Sequence, residues 1–262
     1  MVEIVEVHDP FFWASSGRGW EVPMVGSPCP KGVRIQTRPQ DFMGLYAKYV
    51  LPRIIDLAMS NRETRRLREA WIPRARGEVL EVGIGSGLNL AFYSSEVQHV
   101  YGVDPSIELQ RMARKRLGQL HVEFLLQPAE ERLPLADASI DTVVLTWTLC
   151  SIRDPQRALR EMKRVLKAGG RLIFIEHGRA PDPGVARWQD RLTPLWKPIG
   201  GGCHLNRRID QCLAESEFQI GELRTCYLPG PRAMTYTYQG VAYGKEPVQI
   251  RESSKFGGMA SH

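Results

Sequence analysis

At 262 residues, with 43% hydrophobic and 24% charged side chains, the chain suits one α/β domain with extensions and reads as an ordinary water-soluble protein. No apolar run reaches the roughly 18–20 residues a membrane span needs, and Glu3, Glu6, His8 and Asp9 break the pattern of a signal peptide. The net charge of +6 gathers in Arg62 to Arg76, read as the solvated face of a helix, and zinc-finger and RNA-binding signatures are absent, so no nucleic-acid partner is expected.

Residues 1–40 carry Phe11, Phe12, Trp13 and Trp20, too many aromatics for a free tail, and are expected to form an arm packed on the domain or over its site. Positions 41–59 alternate at helical spacing, with Pro52 dividing them into two short helices. Ser60-x-x-Glu63 has the form of a capping box opening the next helix, which Pro73 stops. From Glu78 strands at 79–83, 99–103, 121–126, 140–147 and 171–176 alternate with helices at 87–94, 106–117, 155–167 and 184–197, implying a parallel sheet with right-handed crossovers. Asp154-Pro155 caps the third of these helices and Gly169-Gly170 is expected to end it. Phe218–Tyr227 and Thr235–Tyr243 look like a closing antiparallel pair, and the Gly/Ser-rich end beyond Gly244 like a frayed tail. The domain reading is an arm and helical lid over 1–75, a binding domain over 76–244 and a tail over 245–262.

The chemistry begins where the first strand runs into Glu81-Val-Gly83-Ile-Gly85-Ser-Gly87-Leu-Asn89. Three alternate glycines let the backbone turn sharply and a ligand approach closely. Dinucleotide loops read G-x-G-x-x-G, so here the third glycine comes one residue early, and the Lys-Ser/Thr of a phosphate loop is missing. Asp104, 17 residues beyond Gly87 at the tip of the second strand, is placed to accept hydrogen bonds from two ribose hydroxyls, or to cap the helix near Ser106.

The E-x-G-x-G-x-G segment resembles motif I of the class I S-adenosylmethionine (SAM) methyltransferases. Gln127-Pro128-Ala129-Glu130 followed by Leu133-Pro134-Leu135, and Arg160-Glu-Met-Lys-Arg-Val-Leu-Lys-Ala-Gly-Gly170, resemble later motifs of the branch with the ubiquinone and menaquinone C-methyltransferases. Gly87–Tyr93, Thr148-Leu-Cys150-Ser-Ile, Ile175-Glu-His177 and Gly202-Cys-His-Leu-Asn-Arg207 together resemble the methyltransferase-like thiol S-methyltransferases and their bacterial relatives. The resemblance implies a Rossmann-like α/β fold: a seven-stranded, mostly parallel sheet with helices on both faces and an N-terminal helical lid. It implies SAM as cofactor, leaving as S-adenosylhomocysteine, held by Tyr46, Glu81, Gly83, Gly85, Gly87, Asn89, Asp104, Pro105, Ala129, Glu130 and Thr146. Pro128 stands where many relatives carry an acid facing the adenine amine, so Glu130 or the Ala129 backbone takes that role. Ala47 replaces the acid that usually follows the lid tyrosine.

The implied reaction is methyl transfer to a small apolar thiol. N-methylation of an ethanolamine phospholipid, with peripheral membrane contact, or C-methylation of a quinone precursor are the rivals, and a non-catalytic SAM-fold module is a third class. A thiol acceptor needs only its thiolate, for which one nearby base suffices. His177, at the carboxyl edge of the fifth strand, is the first candidate; His204 and Asn206 in the loop after Gly200-Gly-Gly are the next. Five cysteines without a C-x-x-C pair are expected to be reduced thiols of a cytoplasmic protein. Cys150 and Cys203, distant in sequence, are read as separate buried thiols, and no metal site is expected.

Overall fold

The computed structural model describes residues 45–244. The expected arm over 1–40 and the tail beyond Gly244 lie outside the described residues. A π-helical turn, Tyr46–Val50, runs into α1 (Leu51–Met59), so Pro52 sits in the first turn of α1, where its missing N–H costs nothing. Helix α2 (Arg62–Trp71) is capped by Asn61, whose Oδ1 accepts from the N–H groups of Glu63 (2.9 Å) and Thr64 (3.0 Å). The expected capping box is displaced by one residue because the Ser60 hydroxyl donates backwards to Asp56 O. Pro73 falls in the 3-10 turn that ends this helix.

The core is a seven-stranded sheet in the order β3-β2-β1-β4-β5-β7-β6, built from β1 (Gly77–Val82), β2 (Val97–Val103), β3 (Val122–Leu125), β4 (Ile140–Thr146), β5 (Leu166–His177), β6 (Phe218–Tyr227) and β7 (Tyr236–Gly244). Strands β1 to β5 are parallel, and β7 enters antiparallel between β5 and β6. Chain order reverses between β1 and β4, and a ligand crevice opens at the carboxyl ends of strands at such a point. Alternate residues feed two cores. Leu80, Val143 and Phe174 join one apolar cluster, whereas Val79, Val144 and Ile173 join the other with Trp71 and Ile72 from the end of α2.

The remaining helices are α3 (Ile107–Ala113), α4 (Pro155–Val165), α5 (Pro183–Ile199), α6 (Ile209–Glu215) and the short α7 (Arg232–Thr235). Two expected elements differ. Between left-handed Gly87 and extended Tyr93 there is room for a single 3-10 turn, Leu90–Phe92, in place of a helix over 87–94. Helix α4 ends at Val165, ahead of Gly169-Gly170, because buried Leu166 pairs with Ile140 and opens β5 early. No helix among the described residues is long and apolar enough to cross a membrane.

Candidate active site

The loop after β1 is shaped by what its glycines leave out. Gly83 has φ +72°, and a Cβ there would strike the Thr148 side chain. Gly85 has φ +54° and faces the crevice, with nothing nearer to its missing Cβ than Gly83 O at 3.8 Å. The loop is tied to β2 through Val103 O, which accepts from Gly83 N (2.8 Å) and Ile84 N (3.1 Å). Asp104, only 7% exposed, spends one lone pair of each oxygen locally: Oδ2 accepts from Gly85 N (3.1 Å) and Oδ1 from Ser106 N (2.8 Å). Ser106 caps α3, so Asp104 supports the helix start without being its cap. Burial raises the Asp104 pKa, against the pull of these two N–H donors.

Beneath the loop lies a buried polar relay. Glu81, 1% exposed, accepts from Asn89 Nδ2 (2.8 Å) and from the Tyr93 hydroxyl (2.8 Å). Asn89 also reaches Thr146 Oγ1 (3.0 Å) and accepts from Arg68 Nε (2.9 Å). Arg68 donates onward to Met59 O (2.8 Å), and its guanidinium lies 4.8 Å from the Trp147 ring centre. Burial pushes the Glu81 carboxyl up to about 7, with the Tyr93 and Asn89 bonds opposing it, and burial lowers Arg68 to about 10. Arg68 was hidden within an arginine-rich stretch read as solvated. Arg65 and Arg66 do pair on the surface with Glu69 and Glu63, but Thr64, Arg68 and Trp71 form the buried stripe of α2. Their i, i+4, i+7 spacing is the signal that separates Arg68 from its neighbours.

A cavity of about 670 Å³ opens above this floor. Of the expected site residues, Gly83, Gly85, Asn89, Asp104, Pro105, Ala129, Glu130, Thr146 and His204 line it. Its roof is α1, which contributes Leu51, Pro52, Ile55 and Met59. The roof is latched at Asp56, which accepts from the Ser86 hydroxyl (2.6 Å) and from Arg116 Nη1 (2.7 Å) and Nη2 (3.2 Å). Arg116 also grips Ser86 O (2.7 Å), and its guanidinium holds the Asp56 carboxyl below the usual range. Arg68, Arg153 and Lys197 bring positive charge to the wall.

Five expected residues stand off the cavity. Glu81 lies one layer below it, and a Cβ at Gly87 would meet Leu90 and Ala113 instead. The Tyr46 hydroxyl donates to Ile199 O (3.1 Å), joining the first helical turn to the end of α5. Asn206 donates to Asp190 Oδ1 (2.8 Å) in a shallow neighbouring depression. His177 is 8% exposed and faces sulfur, with Cys203 Sγ 3.6 Å from Nε2 and 3.8 Å from Nδ1. Burial alone would lower its pKa, but the Cys150 thiol and Glu176 outweigh burial and raise it.

His204 is therefore the expected base that reaches the cavity wall. Its Nδ1 lies 3.1 Å from Cys150 O and 3.2 Å from Arg207 Nη2, and burial together with the Arg207 charge lowers its pKa. Arg207 in turn donates to Leu149 O and Ile152 O, bracing the turn after β4. Glu176, fully buried, completes that brace by accepting from the N–H groups of Thr148 (2.7 Å), Leu149 (2.9 Å) and Cys150 (3.4 Å).

The description "Methyltransferase domain" matches residues 80–174. Thiol S-methyltransferase TMT1B of Rattus norvegicus is 38% identical over 150 residues, covering 55% of this chain and 61% of its own length. The chain thus spans about three fifths of that relative. Thiol S-methyltransferase TMT1A of Homo sapiens is 32% identical, covering 66% of this chain and 73% of its own. Phosphatidylethanolamine N-methyltransferase of Cereibacter sphaeroides is 30% identical over 63% of this chain and 81% of its own. Among solved structures, a SAM-dependent methyltransferase of Leishmania major superposes with a TM-score of 0.57 at 13% identity, over 78% of this chain and 85% of that one, a likeness of fold.

Proposed function

The chain belongs to the SAM-dependent methyltransferases, and from that premise we propose that it methylates a small, rather apolar thiol at sulfur by in-line displacement. The donor fits the residues present. A cavity of about 670 Å³ is within the range of small-molecule sites, Gly85 leaves open a cradle that a Cβ would fill, and the buried Asp104 carboxylate keeps lone pairs free toward it. When bound, SAM supplies a methyl group already activated on a sulfonium.

The chain's own residues then bind, align and dry the site. Asp104 accepts from the ribose hydroxyls, and the backbone of the Gly83–Gly87 loop approaches the donor closely. Ala129 and Glu130 border the adenine end. Thr146 and Asn89 meet the methionine end, with Glu81 and Arg68 orienting Asn89 from behind. Leu51, Pro52, Ile55 and Met59 exclude water from the path of transfer. Arg153 and Lys197 favour an acceptor held as thiolate. The lowered pKa keeps His204 neutral near pH 7. A His204 ring that donates Nδ1–H to Cys150 O, in place of accepting there from Arg207 Nη2, would leave Nε2 as the atom that takes the thiol proton.

The observation that carries this reading is the pairing of an apolar roof with the His204 imidazole and three cations, Arg68, Arg153 and Lys197, on the same cavity. A transfer assay with labelled SAM tests it against soluble thiols, ethanolamine phospholipid vesicles and quinone precursors. The expected result is an S-methyl product from apolar thiols, at a rate rising with pH toward the thiol pKa. Label in lipid alone would overturn it. Phospholipid N-methylation is the second reading, supported by the exposed Val50, Ile54 and Leu57 on and beside α1, and it requires vesicle-dependent turnover that falls with salt.

A further inference from the structure

The sulfur–imidazole cluster behind the cavity wall has no part in the proposed transfer. Cys150 follows β4, His177 ends β5, and Cys203 lies in the loop after α5; the fold brings their ligating atoms within 4.8 Å of one another. Cys150 is 2% exposed and His177 8%; among the described residues the imidazole nitrogens face the Cys203 thiol, with the Cys150 thiol within 4.8 Å. Buried imidazoles ordinarily hydrogen-bond to oxygen; one that shares a cluster with two sulfurs has the donor set that selects zinc.

The spacing agrees. Tetrahedral zinc with Zn–S of about 2.3 Å and Zn–N of about 2.0–2.1 Å sets sulfur and nitrogen roughly 3.5 Å apart. Cys203 Sγ stands 3.6 Å from His177 Nε2 and 3.8 Å from Nδ1, so the separation fits and a turn of the imidazole ring would aim a nitrogen lone pair at a shared metal. Charge agrees too, since two thiolates and a neutral imidazole balance a dication within the cluster itself. We propose that Cys150, His177 and Cys203 form a zinc site that pins the Gly200–Asn206 loop to the carboxyl edge of the sheet. The loop is already threaded against the turn after β4, with His204 N donating to Cys150 O at 2.9 Å. Gly201, Gly202 and His204 from the same loop line the cavity, so the metal would set one wall of the site without touching the reacting atoms. Ser151 Oγ, 3.6 Å from Cys150 Sγ, and Trp147 O, 3.7 Å from it, are oxygens beside the cluster for the fourth position.

The test uses the full chain, reduced, stripped with a chelator and titrated with Co2+, then with Zn2+. One cobalt per chain is expected, with a thiolate-to-cobalt charge-transfer band and tetrahedral d–d absorption that zinc abolishes. Cys203→Ser should halve the charge-transfer band and weaken binding at least tenfold, while Cys212→Ser, outside the cluster, should match wild type. Zinc should raise the Tm of wild type and leave that of Cys203→Ser unmoved. A wild-type protein without the band, or a band unchanged in Cys203→Ser, would overturn the site. So would a Cys150–Cys203 disulfide that survives in zinc-loaded protein by non-reducing peptide mapping. The wild-type cobalt spectrum decides the matter even where a variant folds poorly, and none of these readouts depends on the methyl acceptor.

Discussion

Asp104 sits at the tip of β2 with two of its lone pairs committed to backbone N–H groups and the others facing the cavity. A charge-assisted hydrogen bond contributes about 1.5–3 kcal/mol, so Asp104→Ala should weaken SAM binding by at least about tenfold, measured by calorimetry. Wild-type affinity in that variant would remove the ribose role. Glu81 makes a different prediction, about pH. Its folded-state pKa of about 7 lies above the ordinary 4.5, so between those values the native protein keeps a proton that the unfolded chain has released. Stability contributed by this group is therefore present below pH 4.5 and declines as pH rises toward 7, to a limit of roughly 3 kcal/mol. Glu81→Gln should flatten that decline, its melting temperature gaining on wild type between pH 5 and pH 8. A difference independent of pH would show that the carboxyl does not titrate in this window.

At the scale of elements, capping and pairing decided what local pattern left open. Ser60 and Asn61 are both good caps, and their order along the chain does not say which is used. The structure chooses Asn61, so Asn61→Ala should cost about 1 kcal/mol in thermal denaturation, with Ser60→Ala nearer neutral. The closing strand Phe218–Tyr227 matches its predicted bounds, with left-handed Glu217 before it and Pro229-Gly230-Pro231 after it. The end of α4 does not, since glycine marks a place where a helix can stop, whereas Leu166 stops it earlier by pairing with β4. Arg68 was illegible for a related reason: composition reports a run of arginines, and only helical phase reports that one of them points inward.

For the molecule as a whole, the alternation of strands and helices and the place of the glycine loop could be read from the chain, because each rests on contacts close in sequence. The cavity residues from the second half could not all be sorted that way. His177 and His204 both follow plausible signals, yet only tertiary placement turns His204 to the cavity and sets His177 in a cluster with two thiols. Cys150 and Cys203 looked independent for the same reason, being 53 positions apart until the loop after α5 folds back.

The Asp56 latch bears on turnover as well as architecture. The roof over the cavity is fastened to the glycine loop by one ion pair and one hydroxyl, and a donor that enters beneath it would have to wait for that latch to open. That arrangement makes opening a gate in series with the chemistry, and residence time a property of α1. Asp56→Asn, with the ion pair gone, should release S-adenosylhomocysteine several-fold faster in stopped-flow displacement. Added salt should do the same to wild type and little to the variant. Unchanged release would mean that the spent donor departs by another door.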